Sequence, residues 1–149
     1  MVALVQRVSE ASVVVDGDTR GAIDAGLLIL LGVHKDDTHE ESAWLARKCA
    51  NLRIFADDDG QMNRSVQDVG GEAMVISQFT LCGTVSSGNR PSFTDAAPPD
   101  RADALYEHFV RSLSEQLDQE IPTGVFGAMM DVHLVNDGPV TLSIEKRND

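Results

Sequence analysis

The sequence predicts one mixed α/β domain that contains more strand than helix. Its 149 residues are the usual length of a single domain, so residues 1–149 are treated as one unit. Several apolar, β-branched runs are bounded by turn residues, which is typical of strands. Two further segments repeat apolar residues at helical spacing, which predicts two main helices.

The first third of the chain has the pattern of three strands. Val2–Val8 is apolar apart from one polar pair, and Ala11–Asp16 is β-branched. Asp16-Gly17-Asp18 then predicts a tight turn that leads into a second strand. Gly26–Val33 is a continuous apolar run, which predicts a strand buried on both faces.

Both predicted helices begin at capping signals. Thr38 and Glu41 form a capping box, and apolar residues recur at helical spacing after it. A short strand over Leu52–Phe55 is expected to follow this first helix. Asp100 is predicted to cap the second helix. The apolar face of the second helix is expected to contain Leu105, Tyr106, Phe109, Val110, Leu113 and Leu117.

The remaining strands lead into polar segments. Glu72–Phe79 has the pattern of an apolar strand, and Cys82–Pro99 is a long polar loop of the kind that often carries function. Met129–Val135 and Val140–Glu145 are expected to be the last two strands. A tight turn containing a Gly-Pro pair is predicted to join them.

Composition excludes several classes of protein. The net charge of −12 argues against broad, non-specific nucleic-acid binding, although a local basic spot around Arg90 remains open. No apolar run is long enough to cross a bilayer, and the first residues do not form a secretory signal. Cys49 and Cys82 form no zinc pattern, so a reduced, cytoplasmic protein is expected. Either thiol could act as a nucleophile, but nothing in the sequence supplies a base for it.

The string Ser77-Gln78-Phe79-Thr80-Leu81 is the first candidate site. It places two hydroxyls and an amide at the end of a strand, where residues 77 and 79 are expected to share one face and 78 and 80 the other. Backbone N–H groups at a strand end can stabilise an oxyanion, and a nearby hydroxyl can attack or position water. The alternative is that these hydroxyls only satisfy the strand end.

Gly138-Pro139 is the second candidate site. Asp137-Gly138 suits a hairpin turn, but Pro139 donates no ladder hydrogen bond and is unusual at a strand start. A cis bond here would give a rigid pair of carbonyl acceptors for an ammonium group. An ordinary turn with a trans proline is the alternative.

The histidines and acidic clusters do not predict a metal site. His34 and His39 flank Asp36-Asp37 without a recognisable ligand spacing, and a solvated loop followed by a helix cap explains them. His133 alternates with apolar residues and is expected to face outward or to be satisfied within its strand. We expect no metal and no cofactor.

Taken together, these strings resemble the D-aminoacyl-tRNA deacylase family over essentially the whole chain. The fold implied by this resemblance is a barrel-like core of mostly antiparallel strands with two main helices. The strings that carry it are Gln6-Arg7-Val8, Gly26-Leu27-Leu28, Gly32-Val33, Lys35-Asp36-Asp37, Ser77–Leu81, Gly88–Phe93, Pro99–Ala102 and Asn136–Thr141.

The resemblance implies a cytoplasmic homodimer that hydrolyses the ester of D-aminoacyl-tRNA. Gly138 and Pro139 would form a cis bond, enter the partner subunit's pocket and hold the substrate ammonium, with Arg7 bracing them. L-amino acids would be rejected there, whereas glycyl-tRNA, including glycine on alanine tRNA, would be accepted. Membranes and DNA are not expected partners.

By the same resemblance, Ser77, Gln78, Phe79 and Thr80 line the pocket, and the N–H groups of Phe79 and Thr80 are candidate oxyanion donors. Two mechanisms remain open: attack by Thr80, or activation of water by the 2′-hydroxyl of the tRNA. The second is favoured because neither Ser77–Leu81 nor the Gly138-Pro139 pair contains a base for Thr80. A non-catalytic tRNA-binding module and a general esterase are the alternative functions.

One departure from the family pattern affects tRNA binding. Ser86-Ser87 stand before Gly88, where the family often has a basic residue. With the acidic net charge, this predicts an affinity that depends more on the acceptor end than on a wide electrostatic footprint.

Overall fold

A computed structural model describes residues 1–148. One long strand, β1, organises a five-stranded sheet with the order β2-β1-β3-β6, and β7 also pairs with β1. The β3–β6 pair is parallel, whereas every pair that includes β1 is antiparallel. The strands are β1 Val2–Val15, β2 Asp18–Ile23, β3 Gly26–Gly32, β4 Phe55–Ala56, β5 Met62–Arg64, β6 Glu72–Ser77 and β7 Asp131–Glu145.

Two helices, α1 His39–Asn51 and α2 Pro99–Leu117, pack against each other on one face of this sheet. Leu27 and Ile29 of β3 are buried with the apolar sides of both helices, including Leu45 and Phe109. Leu28 points into a second, smaller cluster on the other face. The sheet curls into a half-barrel, and the predicted mixed α/β fold is confirmed. Within residues 1–148, no helix is long and apolar enough to cross a membrane.

Several local predictions are confirmed by this arrangement. β3 is buried on both faces because β1 and β6 flank it and each of its faces meets an apolar cluster. The capping box is present: the Glu40 N–H donates to Thr38 Oγ1 at 3.2 Å, and the Thr38 N–H donates to Glu41 Oε2 at 2.6 Å. The α2 apolar face is buried as predicted, except that Val110 is only half-buried.

The helix and strand ends differ from prediction at two places. Asp100 does not cap α2, because Pro98 is the N-cap and the fixed φ of Pro99 starts the helix two residues earlier than predicted. Asp100 instead lies in the first turn, where a carboxylate favours the helix dipole. Leu52–Phe55 is not a strand, since Leu52 is the C-cap of α1 and β4 begins at Phe55, where Arg64 supplies a backbone partner.

The two predicted N-terminal strands are one continuous strand. β1 runs unbroken from Val2 to Val15, with irregular register opposite β7 between Gln6 and Glu10. The exposed pair Ser9-Glu10 breaks the apolar pattern of the sequence without breaking the strand.

The last two predicted strands are also one strand, and the predicted hairpin at Gly138-Pro139 is wrong. Asn136 pairs with Val8 and Thr141 pairs with Gln6, so both halves of β7 run antiparallel to β1. The chain therefore does not reverse direction. Residues 137–140 have no ladder partner and lie opposite the single residue Arg7.

A buried polar turn joins β3 to α1. Asp37 is 1% exposed, accepts the His34 N–H at 2.7 Å and forms an ion pair with the Met1 amino group at 2.7 Å. His34 is buried as well, so its assignment to a solvated loop is wrong. Burial and the nearby Met1 ammonium lower the pKa of His34.

Replacement of Gly26 by Ala is expected to destabilise the domain severely. A Cβ at this position would overlap the backbone of Glu72, where β3 pairs with β6. We expect Gly26→Ala to lower the free energy of unfolding by more than about 3 kcal/mol, measured by urea denaturation.

Gly60→Ala is the matched control for this prediction. Unlike Gly26, Gly60 has a positive φ, and a Cβ there would meet nothing within 4 Å. Its expected cost is about 1 kcal/mol, from backbone strain alone. Equal denaturation midpoints for the two variants would contradict the close approach at Gly26.

Candidate active site

An open, largely apolar cavity of about 620 Å³ lies at the end of β6. This volume is within the usual range for small-ligand sites. None of the residues around it carries a titratable side chain. They are Ile76, Ser77, Gln78, Phe79, Phe93, Ala96, Ala97, Pro99, Ala102, Phe126, Gly127, Ala128, Met129, Met130 and Val132.

The polar string at residues 77–81 turns away from the sheet at this cavity. β6 ends at Ser77, the Gln78 N–H donates to the Leu31 carbonyl at 2.7 Å, and Phe79–Cys82 forms a 3₁₀ helix. The predicted strand to Phe79 and the alternation of faces over residues 77–80 are therefore wrong. Because the backbone turns, Ser77, Gln78 and Phe79 all line one cavity.

Backbone donors are available at the start of this 3₁₀ helix. The first N–H groups of a helix have no acceptor within it. The Leu81 N–H donates to the Gln78 carbonyl at 3.2 Å, whereas the N–H groups of Phe79 and Thr80 donate to no acceptor within residues 1–148. Two neighbouring, unpaired N–H groups at a cavity edge are suited to binding a carbonyl oxygen or an oxyanion.

Thr80 lies beside the cavity rather than in its lining. Its side-chain oxygen accepts a hydrogen bond from Gln78 Nε2, and the residue is exposed. The side chain of Gln78 is thereby tied to that of Thr80. Within residues 1–148, no hydrogen bond or ion pair joins Thr80 to a histidine or carboxylate.

Exposed apolar side chains surround the mouth of the cavity. Phe79 and Phe93 meet edge to face, with ring centroids 5.1 Å apart. Met129 is 92% exposed. The long polar loop was predicted to be functional and does supply Phe93. Ala102 belongs to a string that carries the family resemblance, but no sequence signal placed it or the segment 126–130 in a cavity.

The unpaired segment of β7 forms a braced arm, defined here as residues 137–140. Arg7 Nε donates to the Asp137 carbonyl at 3.2 Å and lies 3.3 Å from its carboxylate, while Nη1 donates to the Ile54 carbonyl at 2.6 Å. Asn136 Nδ2 donates to the carbonyls of Arg7 and Val140 at 3.0 and 3.1 Å. The arm is thus fixed at both ends and along one side.

At the tip of the arm, the Gly138–Pro139 peptide bond is cis. Gly138 has a φ of +117°, and a Cβ there would lie 2.5 Å from Arg7 Nη2, so glycine is required at this position. Both tip residues are exposed, and neither has a ladder partner. Among the described residues, the arm and Arg7 do not contribute to the cavity lining of their own chain.

The other candidate groups lie outside this cavity lining. Burial raises the pKa of the Cys49 thiol to about 12 and that of the Cys82 thiol to about 11, so neither is activated as a nucleophile. His108 lies between the helices, with Nδ1 2.9 Å from Ser42 Oγ, and burial and His39 lower its pKa. His133 faces outward, as predicted. Over residues 1–148, no cluster of three His, Cys, Asp or Glu side chains is suited to holding a metal ion.

Comparison with known proteins identifies the family. The sequence model described as D-Tyr-tRNA(Tyr) deacylase matches residues 4–145. A D-aminoacyl-tRNA deacylase of Salinibacter ruber is 68% identical over 149 residues, covering 100% of this chain and 99% of that protein. Its counterpart in Thermotoga petrophila is 58% identical over 145 residues, covering 97% of each chain.

Two solved structures have the same fold. The c-Myc DNA Unwinding Element Binding Protein superposes with a TM-score of 0.93 at 42% identity, over 99% of this chain and 100% of that one. A probable eukaryotic D-amino acid tRNA deacylase gives a TM-score of 0.80 at 14% identity, over 96% and 98% of the two chains, which shows the fold alone. By its sequence matches over nearly its full length, the chain belongs to the D-Tyr-tRNA(Tyr) deacylase family of enzymes.

Proposed function

We propose that this protein is a cytoplasmic editing hydrolase that releases D-amino acids, and also glycine, from tRNA. The observation that carries the proposal is a cavity without titratable side chains, bordered by two unpaired backbone N–H groups. Such a site offers oxyanion stabilisation without a general base of its own. In an aminoacyl-tRNA, the ribose hydroxyl next to the ester can supply the missing base.

Hydrolysis in this site would begin with attack of water on the ester carbonyl carbon. The carbonyl oxygen, held by the N–H groups of Phe79 and Thr80, becomes the oxyanion of the tetrahedral intermediate. Collapse of this intermediate breaks the bond to the ribose 3′-oxygen, which takes up a proton, and frees the amino acid. Ser77 and Gln78 would orient the substrate from the same cavity wall.

Activation of the water is assigned to the 2′-hydroxyl of the terminal ribose. Direct attack by Thr80 would require a base close to its hydroxyl, and none lines the cavity. The Thr80 oxygen also accepts a hydrogen bond from Gln78, an arrangement suited to positioning rather than to attack. The 2′-hydroxyl lies next to the scissile ester by covalent structure, so the substrate brings this group to the reaction.

The ammonium group of the substrate is assigned to the arm of a second subunit. The arm is exposed, is braced by Arg7 and does not line the cavity of its own chain. In a homodimer with twofold symmetry, each arm would enter the other chain's cavity. The carbonyls of Gly138 and Pro139 would then accept hydrogen bonds from the ammonium group.

Chiral selection follows from where these carbonyls would stand. When the ammonium group and the ester carbonyl of the substrate are both fixed, one further substituent of its α-carbon faces the arm. That substituent is hydrogen in a D-amino acid and the side chain in an L-amino acid. The L side chain would collide with the Gly-Pro backbone. Glycine has hydrogen at that position and escapes the collision, so glycyl-tRNA, including glycine on alanine tRNA, would be hydrolysed.

A second candidate function is DNA binding, because one structural relative is the c-Myc DNA Unwinding Element Binding Protein. The net charge of −12 disfavours wide contact with duplex DNA. The family match instead favours tRNA. A non-catalytic tRNA-binding module would bind tRNA without hydrolysis, and a general esterase would ignore chirality.

A side-by-side assay of three substrates tests the proposed activity. D-tyrosyl-tRNA and glycyl-tRNA should be deacylated, whereas L-tyrosyl-tRNA should survive, because only its side chain meets the arm. The measurement is the rate of loss of radiolabelled amino acid from each tRNA. Equal rates for the D and L forms would overturn the chirality argument, and no hydrolysis of any form would favour the binding module.

Subunit mixing tests the cross-subunit arm. Ala128→Trp fills the cavity, and Gly138→Ala with Pro139→Ala disrupts the arm; each variant alone should be inactive. When the two variants are combined and exchange subunits, about half of the dimers contain one chain of each kind. Each of these dimers has one intact site out of two, so about a quarter of wild-type activity should return. If arm and cavity acted within one chain, no intact site would form and no activity would return.

The control for this mixing experiment carries all three substitutions on one chain and is mixed with wild type. Every site in a mixed dimer then contains either a filled cavity or a disrupted arm. Recovery in the first mixture, together with inactive mixed dimers in the control, is the expected pattern. An exclusively monomeric wild-type protein in sedimentation analysis would reject the assignment.

The assignment of water activation to the 2′-hydroxyl of the terminal ribose is tested with Thr80→Ala and with a tRNA that ends in 2′-deoxyadenosine. Thr80→Ala should keep kcat within about tenfold of wild type, because Thr80 only positions other groups. The 2′-deoxy substrate should lose at least about a hundredfold in kcat, the usual scale of general-base assistance.

Thr84→Ala removes an exposed hydroxyl outside the cavity and serves as the matched control. It should leave kcat unchanged. Two results together would restore the mechanism in which Thr80 is the nucleophile. Thr80→Ala would hydrolyse the substrate no faster than buffer alone, and an acyl-enzyme would be trapped on Thr80 of the wild type.

A further inference from the structure

Basic side chains gather around Trp44 on the outer side of α1. Two adjoining depressions, of about 400 and 470 Å³, share Trp44 and Arg47. Five of the chain's 12 lysines and arginines line them, although the chain as a whole carries a net charge of −12. These five residues are called the Trp44 patch: Arg47, Lys48, Arg53, Lys146 and Arg147.

The patch is held together by the half-buried indole. Trp44 packs against the main core, and the ammonium groups of Lys48 and Lys146 lie 5.2 and 5.5 Å from its ring centroid. Cation–π attraction keeps two like charges close that would otherwise separate. Arg47 and Lys48 lie one turn beyond Trp44, so they project on the same side of the helix.

Most of the positive charge in the patch is not neutralised by neighbouring carboxylates. Within residues 1–148, no carboxylate lies within 4 Å of the cationic groups of Arg47, Lys48 or Lys146, whereas Arg147 pairs with Glu145 at 2.7 Å. Two carboxylates line the second depression. Glu41 is buried and accepts hydrogen bonds from Thr38, and only Glu40 is exposed.

The turn at residues 34–37 connects the patch to the rim of the cavity. On the patch side, Asn148 Nδ2 donates to the Asp36 carbonyl at 2.9 Å. On the cavity side, Arg101 at the start of α2 donates to the Asp37 carbonyl at 2.5 Å. Pro99 and Ala102, which flank Arg101, line the cavity. The patch and the rim of the cavity are therefore both anchored to this one turn.

We propose that the Trp44 patch binds backbone phosphates of the tRNA whose 3′ end occupies the cavity, an inference that rests on the proposed function. Cations gathered around one indole, set in an otherwise acidic surface, are complementary to a phosphate chain. The patch supplies affinity without sequence readout, because phosphate contacts carry no base information. Only a few contacts are available, so the footprint remains small.

The test compares two triple variants that remove equal charge. Arg47→Gln, Lys48→Gln and Lys146→Gln empty the patch, whereas Arg20→Gln, Arg64→Gln and Arg111→Gln remove three cations elsewhere. For the patch variant, the slope of log affinity for uncharged tRNA against log salt concentration should fall by about 2. The control variant should keep the wild-type slope.

Kinetics separate this contact from catalysis. The patch variant should raise KM for D-tyrosyl-tRNA about tenfold at unchanged kcat, because the lost contacts lie away from the reacting atoms. A D-tyrosyl ester of the short 3′-terminal CCA trinucleotide should be hydrolysed equally by wild type and patch variant. Unfolding midpoints in urea should match for both triple variants.

The outcomes distinguish this proposal from the proposed function. A patch variant indistinguishable from the control in both slope and KM overturns the phosphate contact while leaving deacylation intact. A changed slope with no hydrolysis of any aminoacyl-tRNA supports the patch and removes the proposed function. If the patch substitutions weaken binding to tRNA and to poly-L-glutamate equally, the patch attracts any polyanion, and the assignment to RNA is overturned.

Discussion

The interruption of the β1–β7 ladder at Arg7 is the constraint from which the site geometry follows. Four residues of β7 lie opposite one residue of β1, yet pairing resumes in the same antiparallel sense on both sides. The extra residues can only leave the sheet, and the Arg7 guanidinium and Asn136 amide hold them there. Arg7 itself is only 14% exposed, and its hydrogen bond to the Ile54 carbonyl is partly buried, so the guanidinium is anchored although its contacts with Asp137 lie at the surface.

The division of polar groups between arm and cavity is the second feature that needs explanation. The cavity has apolar walls and backbone donors but no charge, whereas the exposed tip of the arm offers the backbone carbonyls of Gly138 and Pro139 as acceptors. An aminoacyl ester requires both, since its carbonyl needs donors and its ammonium needs acceptors. Two copies of the chain would supply both, one through the cavity lining and the other through the tip of the arm.

Sequence patterns predicted the elements whose signals are local. The capping box at Thr38 and Glu41 and the buried β3 strand follow from neighbouring residues alone, and both are present. The predicted hairpin at Asp137-Gly138 is wrong because turn propensity does not encode which strand each flank will pair with. The strand through Phe79 is wrong for a related reason: pairing with β3 ends at Ser77, and apolar character continues beyond it. Cavity residues such as Ala102 and Met129 carry no chemical signature and emerge only when distant segments pack together.

The charge distribution bears on how an acidic enzyme can act on a polyanion. With 24 acidic and 12 basic residues, long-range repulsion disfavours tRNA at most of the surface. Binding then requires the energy of specific contacts, of which the cavity and a small basic patch are the candidates. Such a surface disfavours tRNA whose 3′ end cannot enter the cavity, since phosphate contacts alone are few. An acidic surface would thereby limit retention of a tRNA whose L-aminoacyl end is excluded from the cavity.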